Sequence, residues 1–270
     1  MPKANINGVK LNYEVIGQGK DVVFLHGYVG DLEDWNNQIS VLSADYRVYA
    51  LDQRGRGKSE APKDESAYSI DNLVEDVYQW LKMMGIDKCC LVGHSMGGRV
   101  AMTFTLTHPE MVGALVLADT SSGTSESNEE NSIHKEELLN IALTKGMTTA
   151  FDYEVANNPV SKKRYQKHPE TLDRMRAEYG KTSPYAYVNI RNLRGKRQPI
   201  TERLHEIKVP TLVIYADADL PTAIKGAPLM HEKITDSELV MIENSSHGSM
   251  YERPEEFNRI LLSFLKRIRW

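Results

Sequence analysis

Six short runs of apolar residues limit what this chain can fold into more than any other feature: Val22–Leu25, Arg47–Leu51, Cys89–Val92, Ala114–Ala118, Thr211–Tyr215 and Leu239–Ile242. They alternate with longer segments of helical period. A strand that is apolar at nearly every position needs cover on both faces, so the runs predict a mainly parallel sheet between helices, an α/β fold. Two earlier strands, Ala4–Ile6 and Val9–Val15, meet at Asn7-Gly8, a pair that tolerates the positive φ of a tight hairpin. The sheet is expected to open with that antiparallel pair.

Helices are expected at Leu32–Leu42, Ile70–Met84 and Met96–Thr107, and from Pro254 onward. Ile70, Leu73, Val74, Val77, Trp80, Leu81 and Met84 recur at spacings of three and four, with Ser69 placed as N-cap and Gly85 as stop. The last helix opens with Glu255 and Glu256 and closes on Lys266, Arg267 and Arg269, an order that complements the helix dipole.

The alternation breaks from about Ser121 to Glu206. A polar linker, SSGTSESNEENS, leads into helical segments at Ile133–Thr144, Pro169–Tyr179 and Pro184–Leu193, with no convincing strand. This stretch carries a basic tract: Lys162, Lys163, Arg164, Lys167, Arg191, Arg194, Lys196 and Arg197. With no aromatic interleaving the tract reads as a solvated face, the other reading being selection of an acidic substrate. Over all 270 residues, 33 basic against 37 acidic side chains give a net charge of −4, which does not point to nucleic acid. No run reaches the length of a membrane span, and the opening MPKANINGVKLNYEVIG lacks an export pattern. The two cysteines, Cys89 and Cys90, are adjacent and read as buried apolar residues. A cytoplasmic protein without membrane contact is expected.

The chemistry concentrates in CCLVGHSMGGRVAMTF. Ser95 is the centre of Gly-x-Ser-x-Gly between a strand and a helix, a turn that lifts the hydroxyl clear of the sheet where Gly93 and Gly97 leave room. Met96 opens the helix, so its N–H is available to a developing oxyanion. A serine needs a base, and that base an acid. His247 follows the last strand candidate, and Asp219 ends TLVIYADAD. Both would reach the carboxyl edge of the sheet beside Ser95. Asp217 is a competing carboxylate, and Asp119 stands at the end of the preceding strand.

Three further matches make a resemblance specific. His26-Gly27-Tyr28 after a strand, Asp52-Gln53-Arg54-Gly55-Arg56-Gly57-Lys58-Ser59, and His247 followed by Glu252, Pro254 and Phe257 resemble the α/β-hydrolase superfamily, in its esterase, lactonase and carbon-carbon hydrolase branch. The resemblance implies a mostly parallel eight-stranded sheet flanked by helices. Residues 1–120 and 206–270 would form the core and 121–205 an inserted helical cap. It implies Ser95, Asp219 and His247 as catalytic residues, with the backbone N–H groups of Tyr28 and Met96 as oxyanion hole beside the substrate. No metal and no cofactor is implied. Ala216 departs from the family, which carries Gly there, and this keeps Asp119 and Asp217 open as alternatives to Asp219.

Other residues have plainer readings. His26 shapes a loop, His94 is structural, and His108 and His168 sit at helix boundaries. Gly57-Lys58-Ser59 mimics a phosphate loop but lacks its earlier glycine, and Asp52 and Arg54 are expected to pair locally. Of Tyr28, Trp35, Met96 and Met147, only Tyr28 and Met96 are placed near the nucleophile by the motifs. The expected activity is hydrolysis of a small carboxylic ester through an acyl-enzyme. Lactones, either enol-lactones or acyl-homoserine lactones, and carbon-carbon bonds remain alternatives. Ser95 disfavours dehalogenase and epoxide hydrolase chemistry, which needs Asp in its place. A small-molecule receptor on the same scaffold is the rival from another class. Oligomeric state is left open.

Overall fold

The computed structural model of the protein describes residues 2–123, 132–194, 197–268 and 270. Eight strands form one sheet: β1 (Lys3–Ile6), β2 (Val9–Ile16), β3 (Lys20–Leu25), β4 (Tyr46–Leu51), β5 (Cys89–His94), β6 (Val112–Ala118), β7 (Thr211–Ala216) and β8 (Ser237–Ile242). Their order is β1-β2-β4-β3-β5-β6-β7-β8. The β1-β2 and β2-β4 pairs are antiparallel and every later pair is parallel. Asn7 and Gly8 make the opening turn with φ of 48° and 75°.

The apolar runs are continuous because alternate residues serve two cores. Val23, Leu25, Leu91, Leu115 and Val213 face one layer, and Val22, Phe24, Val92, Val116 and Leu212 the other. The first layer receives α2 (Ile70–Met83) and α3 (Met96–Thr107), through Val77, Trp80, Leu81, Val100 and Phe104. The second, beyond α1 (Asn36–Leu42), takes Leu42 and, from a C-terminal helix at Pro254–Arg267, Phe257, Leu261 and Phe264. Each such side chain contributes about 1.5–3 kcal/mol on full burial, which is what makes the slab rigid enough to carry a site. Ser69 caps α2 by accepting from the Asn72 N–H at 3.2 Å.

Between β6 and β7 lie α4 (Ser132–Lys145), α5 (Met147–Asn157), α6 (Pro159–Lys167), α7 (Leu172–Lys181) and α8 (Pro184–Arg194), with no strand among the described residues. Most of the expected polar linker, residues 124–131, lies outside the described residues. The single helix expected at Pro169–Tyr179 is instead a 3₁₀ turn at Pro169–Thr171 followed by α7. Neither α5 nor α6 is expected from sequence: α6 buries Tyr165 alone, so it has no apolar stripe to read. Nor is α9 (Pro221–Lys233), whose period Gly226 and Pro228 interrupt. The chain ends with α10 (Ser249–Glu252) and α11 (Pro254–Arg267).

Helices α4, α5 and α8 share a small core of Leu138, Ile141, Ala142, Met147, Ala150, Tyr187 and Val188, which Val29 joins from the loop after β3. They join the sheet through Ala186 and Ile190 of α8, which lie in the sheet core, and through polar bonds: Thr182 Oγ1 donates to Val29 O at 2.9 Å, and Asn189 Nδ2 to Lys63 O at 3.0 Å. The Tyr28 hydroxyl donates to Tyr187 O. Those partners stand in the loops after β3 and β4, so the helices cap the carboxyl edge of the sheet.

Candidate active site

Strand order reverses between β3 and β5, where the chain leaves β3 for β4 on one side and returns for β5 on the other. Loops at such a switch point diverge and leave a crevice at the carboxyl ends. Tyr28 stands on one side of it and Ser95 on the other.

Ser95 joins β5 to α3 with φ 50° and ψ −115°, the left-handed region that a non-glycine residue adopts only under constraint. The constraint is visible in its partners. Its N–H donates to Ala118 O at 2.9 Å, and its carbonyl accepts from Thr120 Oγ1 at 2.6 Å. A Cβ on Gly93 would lie 2.4 Å from Gly97 O, and one on Gly97 would lie 2.2 Å from Leu25 O. Only glycines let the turn pack this closely on β3.

His247, in the loop after β8, sets Nε2 2.8 Å from Ser95 Oγ. Its Nδ1 is 2.5 Å from Asp219 Oδ1, which also accepts the Leu220 N–H. The structure thus brings together Ser95, His247 and Asp219. Burial pushes the Asp219 carboxyl up to about 7, against the opposing pull of the Leu220 N–H and the Arg164 charge. The competing carboxylates have other partners. Asp217 Oδ1 accepts the Ser245 N–H at 3.1 Å, and Asp119 Oδ2 accepts both the N–H and the hydroxyl of Ser249 at 2.8 Å. Ala216 is fully buried at the end of β7, where its methyl leaves Asp219 within reach of His247.

Across the crevice, His26 Nδ1 lies 2.8 Å from Gly27 O and its Nε2 accepts the Gln53 N–H at 3.0 Å. Burial, with the Arg56 charge, lowers its pKa to about 3, so the ring is neutral and fastens the β3 loop to the β4 loop. A Cβ on Gly27 would lie 2.7 Å from His94 Nδ1 and 3.4 Å from Ser95 Cβ, so the Tyr28 peptide passes close to Ser95. Met96 opens α3 beside it. Two backbone N–H groups near one hydroxyl can receive a carbonyl oxygen as it gains charge. His94 is buried and held neutral by that burial and by His247, with Nε2 3.2 Å from His247 O, a brace for the His247 backbone.

Sequence reasoning missed Arg56. This buried side chain donates from Nε to Tyr28 O at 3.0 Å and from Nη1 to Arg54 O, and reaches Met96 Sδ at 3.5 Å. It touches both residues of the expected oxyanion hole, and its only signal was a second arginine in the Arg-Gly-Arg-Gly loop. Glu252 is a second such support, accepting from Ser245 Oγ and from both the N–H and hydroxyl of Ser246, next to His247.

Two expectations are corrected. Asp52 and Arg54 do not pair. Asp52 accepts from Asn12, Leu32 N and Lys58 N, while Arg54 makes a two-pronged bond to Asp76 at 2.5 and 2.6 Å, because α2 places a buried acid opposite it. The basic tract is not one solvated face. Lys162, Lys163 and Lys167 are exposed, but Arg164 turns inward, with Nε 3.3 Å from Ser246 Oγ, and Arg191 donates to the Tyr187 hydroxyl. Arg197 reaches Met96 Sδ at 4.0 Å. The Arg194 side chain and Lys196 lie outside the described residues. Trp35 is a core residue, packed on Phe24 and Phe257, and Met147 belongs to the cap cluster.

A family profile described as the alpha/beta hydrolase fold matches residues 21–254. The chain belongs to the α/β-hydrolase family. This α/β hydrolase is 31% identical to a proline iminopeptidase of Saccharolobus solfataricus, over 95% of its own length and 88% of the relative's. It is 30% identical to the 2-hydroxy-6-oxo-6-(2'-aminophenyl)hexa-2,4-dienoic acid hydrolase of Metapseudomonas resinovorans, over 97% and 90%. Its structure is similar to that of an enol-lactonase from Burkholderia xenovorans LB400, with a TM-score of 0.83 at 26% identity, over 98% of this hydrolase and 100% of the other chain. The two relatives and the similar structure are named for hydrolysis of different bonds, so membership leaves the scissile bond open. Among the described residues, no helix of the hydrolase is long and apolar enough to cross a membrane, and no group of His, Cys, Asp and Glu could hold a metal ion.

Proposed function

We propose that the protein is a serine hydrolase that cleaves a small carboxylic ester through an acyl-enzyme. The observation that carries this reading is the chain of contacts from Ser95 Oγ to His247 Nε2 at 2.8 Å and from His247 Nδ1 to Asp219 at 2.5 Å, ending on a strained serine. His247 takes the Ser95 proton as Oγ attacks the ester carbon, and the Tyr28 and Met96 N–H groups hold the oxyanion. The imidazolium returns its proton to the leaving alcohol. Water, deprotonated by His247, then attacks the acyl carbon, and the imidazolium returns that proton to Ser95 Oγ as the acid leaves. Asp219 keeps the Nδ1–H tautomer and stabilises the imidazolium.

Lactones are the second reading, favoured by the likeness to the enol-lactonase. The same groups open a ring as readily as they expel an alcohol. A panel of short p-nitrophenyl esters, lactones of matched acyl length, a dienoic acid and an N-terminal proline arylamide, scored by kcat/KM, separates these classes. Ser95→Ala is expected to lower kcat for the best substrate by at least about a thousandfold. Full activity in that variant overturns the assignment. Stoichiometric fluorophosphonate labelling of the native protein without turnover on any member of the panel would favour a receptor.

A further inference from the structure

The carboxyl group left over at the end of β6 is not idle. Strands β6 and β7 are neighbours, paired Ala118 with Ile214, and Asp119 N–H extends that pairing by donating to Ile214 O at 2.9 Å. The side chains of Asp119 and Asp219 are both fully buried. Each has one oxygen engaged: Asp119 Oδ2 by Ser249, and Asp219 Oδ1 by His247 and Leu220. Each has one buried oxygen with no donor among the described residues, Asp119 Oδ1 and Asp219 Oδ2. The two carboxyl groups meet the same loop from neighbouring strand ends, Asp219 at His247 and Asp119 two residues on at Ser249. Asp119 also holds φ at 48°, an arrangement that Asp and Asn tolerate better than other side chains.

Two ionised carboxylates cannot share such a place, since each oxygen lacking a donor would face another anion in a low dielectric. A single proton between them satisfies both orphaned oxygens. We infer that Asp119 is a carboxylic acid at neutral pH and donates its proton to Asp219 Oδ2, extending the contact chain to Ser95, His247, Asp219 and Asp119. Burial raises both carboxyls, and each accepts hydrogen bonds; the proton belongs on Asp119 because only Asp219 also bonds the His247 ring and is drawn down by the charge of Arg164, while Asp119 has only the two Ser249 donors. The groups facing Asp119 are Asp219 from the turn after β7, Ser249 and Glu252 from α10, and His94 from the end of β5. His94 is 4.0 Å away and neutral, so no cation offsets a charge on Asp119. Burial and the Asp219 charge accordingly hold its carboxyl well above the usual range.

Asp119 is thus a positioning residue. Its O–H fixes the plane of the Asp219 carboxylate and takes up one of its lone pairs, so that the imidazolium proton stays on His247. The native state binds a proton that the unfolded chain has released above about pH 4, so Asp119 makes the protein progressively less stable from there up to its native pKa.

Asp119→Asn tests this directly, because the amide carbonyl can still accept from Ser249 while the NH2 replaces the O–H toward Asp219. Infrared difference spectra of the native protein at pH 8 are expected to show a protonated carboxyl band that Asp119→Asn removes. Absence of that band in the native protein overturns the proposal, whatever the substrate. The native kcat/KM profile is expected to fall at alkaline pH as Asp119 ionises, and the Asn variant to lose that limb. Asp119→Val is expected to lower kcat by about tenfold or more, with Asn restoring most of it. An unchanged alkaline limb in Asp119→Asn, or equal losses in both variants, also overturns it. The activity arms rest on the serine-hydrolase reading, but the infrared arm does not, so the two can fail separately.

Discussion

The sheet and its cap are built on different physics. All seven residues of β6 are buried, and its neighbours alternate between two apolar layers, so the direction of every side chain at its end is set by the pleat. In the cap, α6 buries one residue, Tyr165, and α7 only Glu178. The cap holds together through a modest aromatic cluster and reaches the sheet with Arg164, Arg174 and Lys181, with the Tyr187 carbonyl that accepts from Tyr28, and with Ala186 and Ile190 of α8, which join the sheet core. The contrast implies a division of labour. Groups that must sit within a fraction of an ångström come from strand ends, whereas the surface above them can change sequence at small expense to the fold.

A pair of glycine substitutions gives that contrast its largest test. Alanine at Gly97 would drive a methyl to 2.2 Å from Leu25 O and 2.6 Å from His26 O, both backbone atoms that the sheet holds in place. We expect a loss of about 3 kcal/mol or more, and labelling of Ser95 by fluorophosphonate to fall below detection. Gly146, between α4 and α5, has φ of 88° and nothing within 4 Å of an added Cβ. Gly146→Ala should cost about 1 kcal/mol from backbone strain alone and leave labelling intact. Thermal melts and labelling on both variants check this. Equal losses would erase the distinction between rigid sheet and adaptable cap.

The same contrast explains what could be read from sequence. The strand runs and α2 were legible because burial on both faces, or on one stripe, leaves a period in the residues. Ser95 and His247 were legible because a strand-turn-helix and a strand end fix where they point. Asp219 was less so, since Asp119, Asp217 and Asp219 all stand at strand ends, and only the distance to His247 separates them. Helix α6 left no period because it buries Tyr165 alone, and α5 buries Met147, Ala150 and Phe151 over a single turn, too short a stripe to read. The inward turn of Arg164 was invisible beside Lys162 and Lys163: one helical face differs from another only once its neighbour, the Ser246 loop, is in place. The Arg54 pairing failed for the same reason, its partner Asp76 lying 22 residues away on α2.

Phe151 probes the cap's own core. It is buried between Tyr165 and Tyr179, with ring centroids 5.5 and 4.8 Å away. Phe151→Ala should remove about 3 kcal/mol of local packing. If the cap is a separate layer, that loss appears as faster hydrogen exchange in α5 and α7 and as a raised KM, while Ser95 still reacts with fluorophosphonate. A matching truncation beneath the sheet, Phe104→Ala, should instead lower the unfolding midpoint of the whole protein. Loss of Ser95 labelling in Phe151→Ala would show that the cap helps to hold Ser95 in place.

The smallest effect is expected where cap and sheet meet in water. Lys181, at the end of α7, lies 2.9 Å from Glu33 and 3.4 Å from Asp31 in the loop after β3, and 3.4 Å from Glu178. It is 41% exposed, so each pair is screened and their sum is at most about 1 kcal/mol. Removing it leaves Asp31, Glu33, Glu178 and buried Asp34 facing one another, with Arg174 bonded to Asp34 at 3.1 Å. Burial and the Glu178 charge push Asp34 up to about 7. Lys181→Met should therefore lower the midpoint by about 1–3 °C at low salt and pH 8. The deficit should shrink in 1 M salt, where charges beyond about 3 Å are screened. It should shrink again as pH falls through 7, because Asp34 then takes a proton and one repelling charge disappears. A deficit that ignores both salt and pH would mean that the lysine stem packs the cap against the sheet, and that this junction is less electrostatic than its charges suggest.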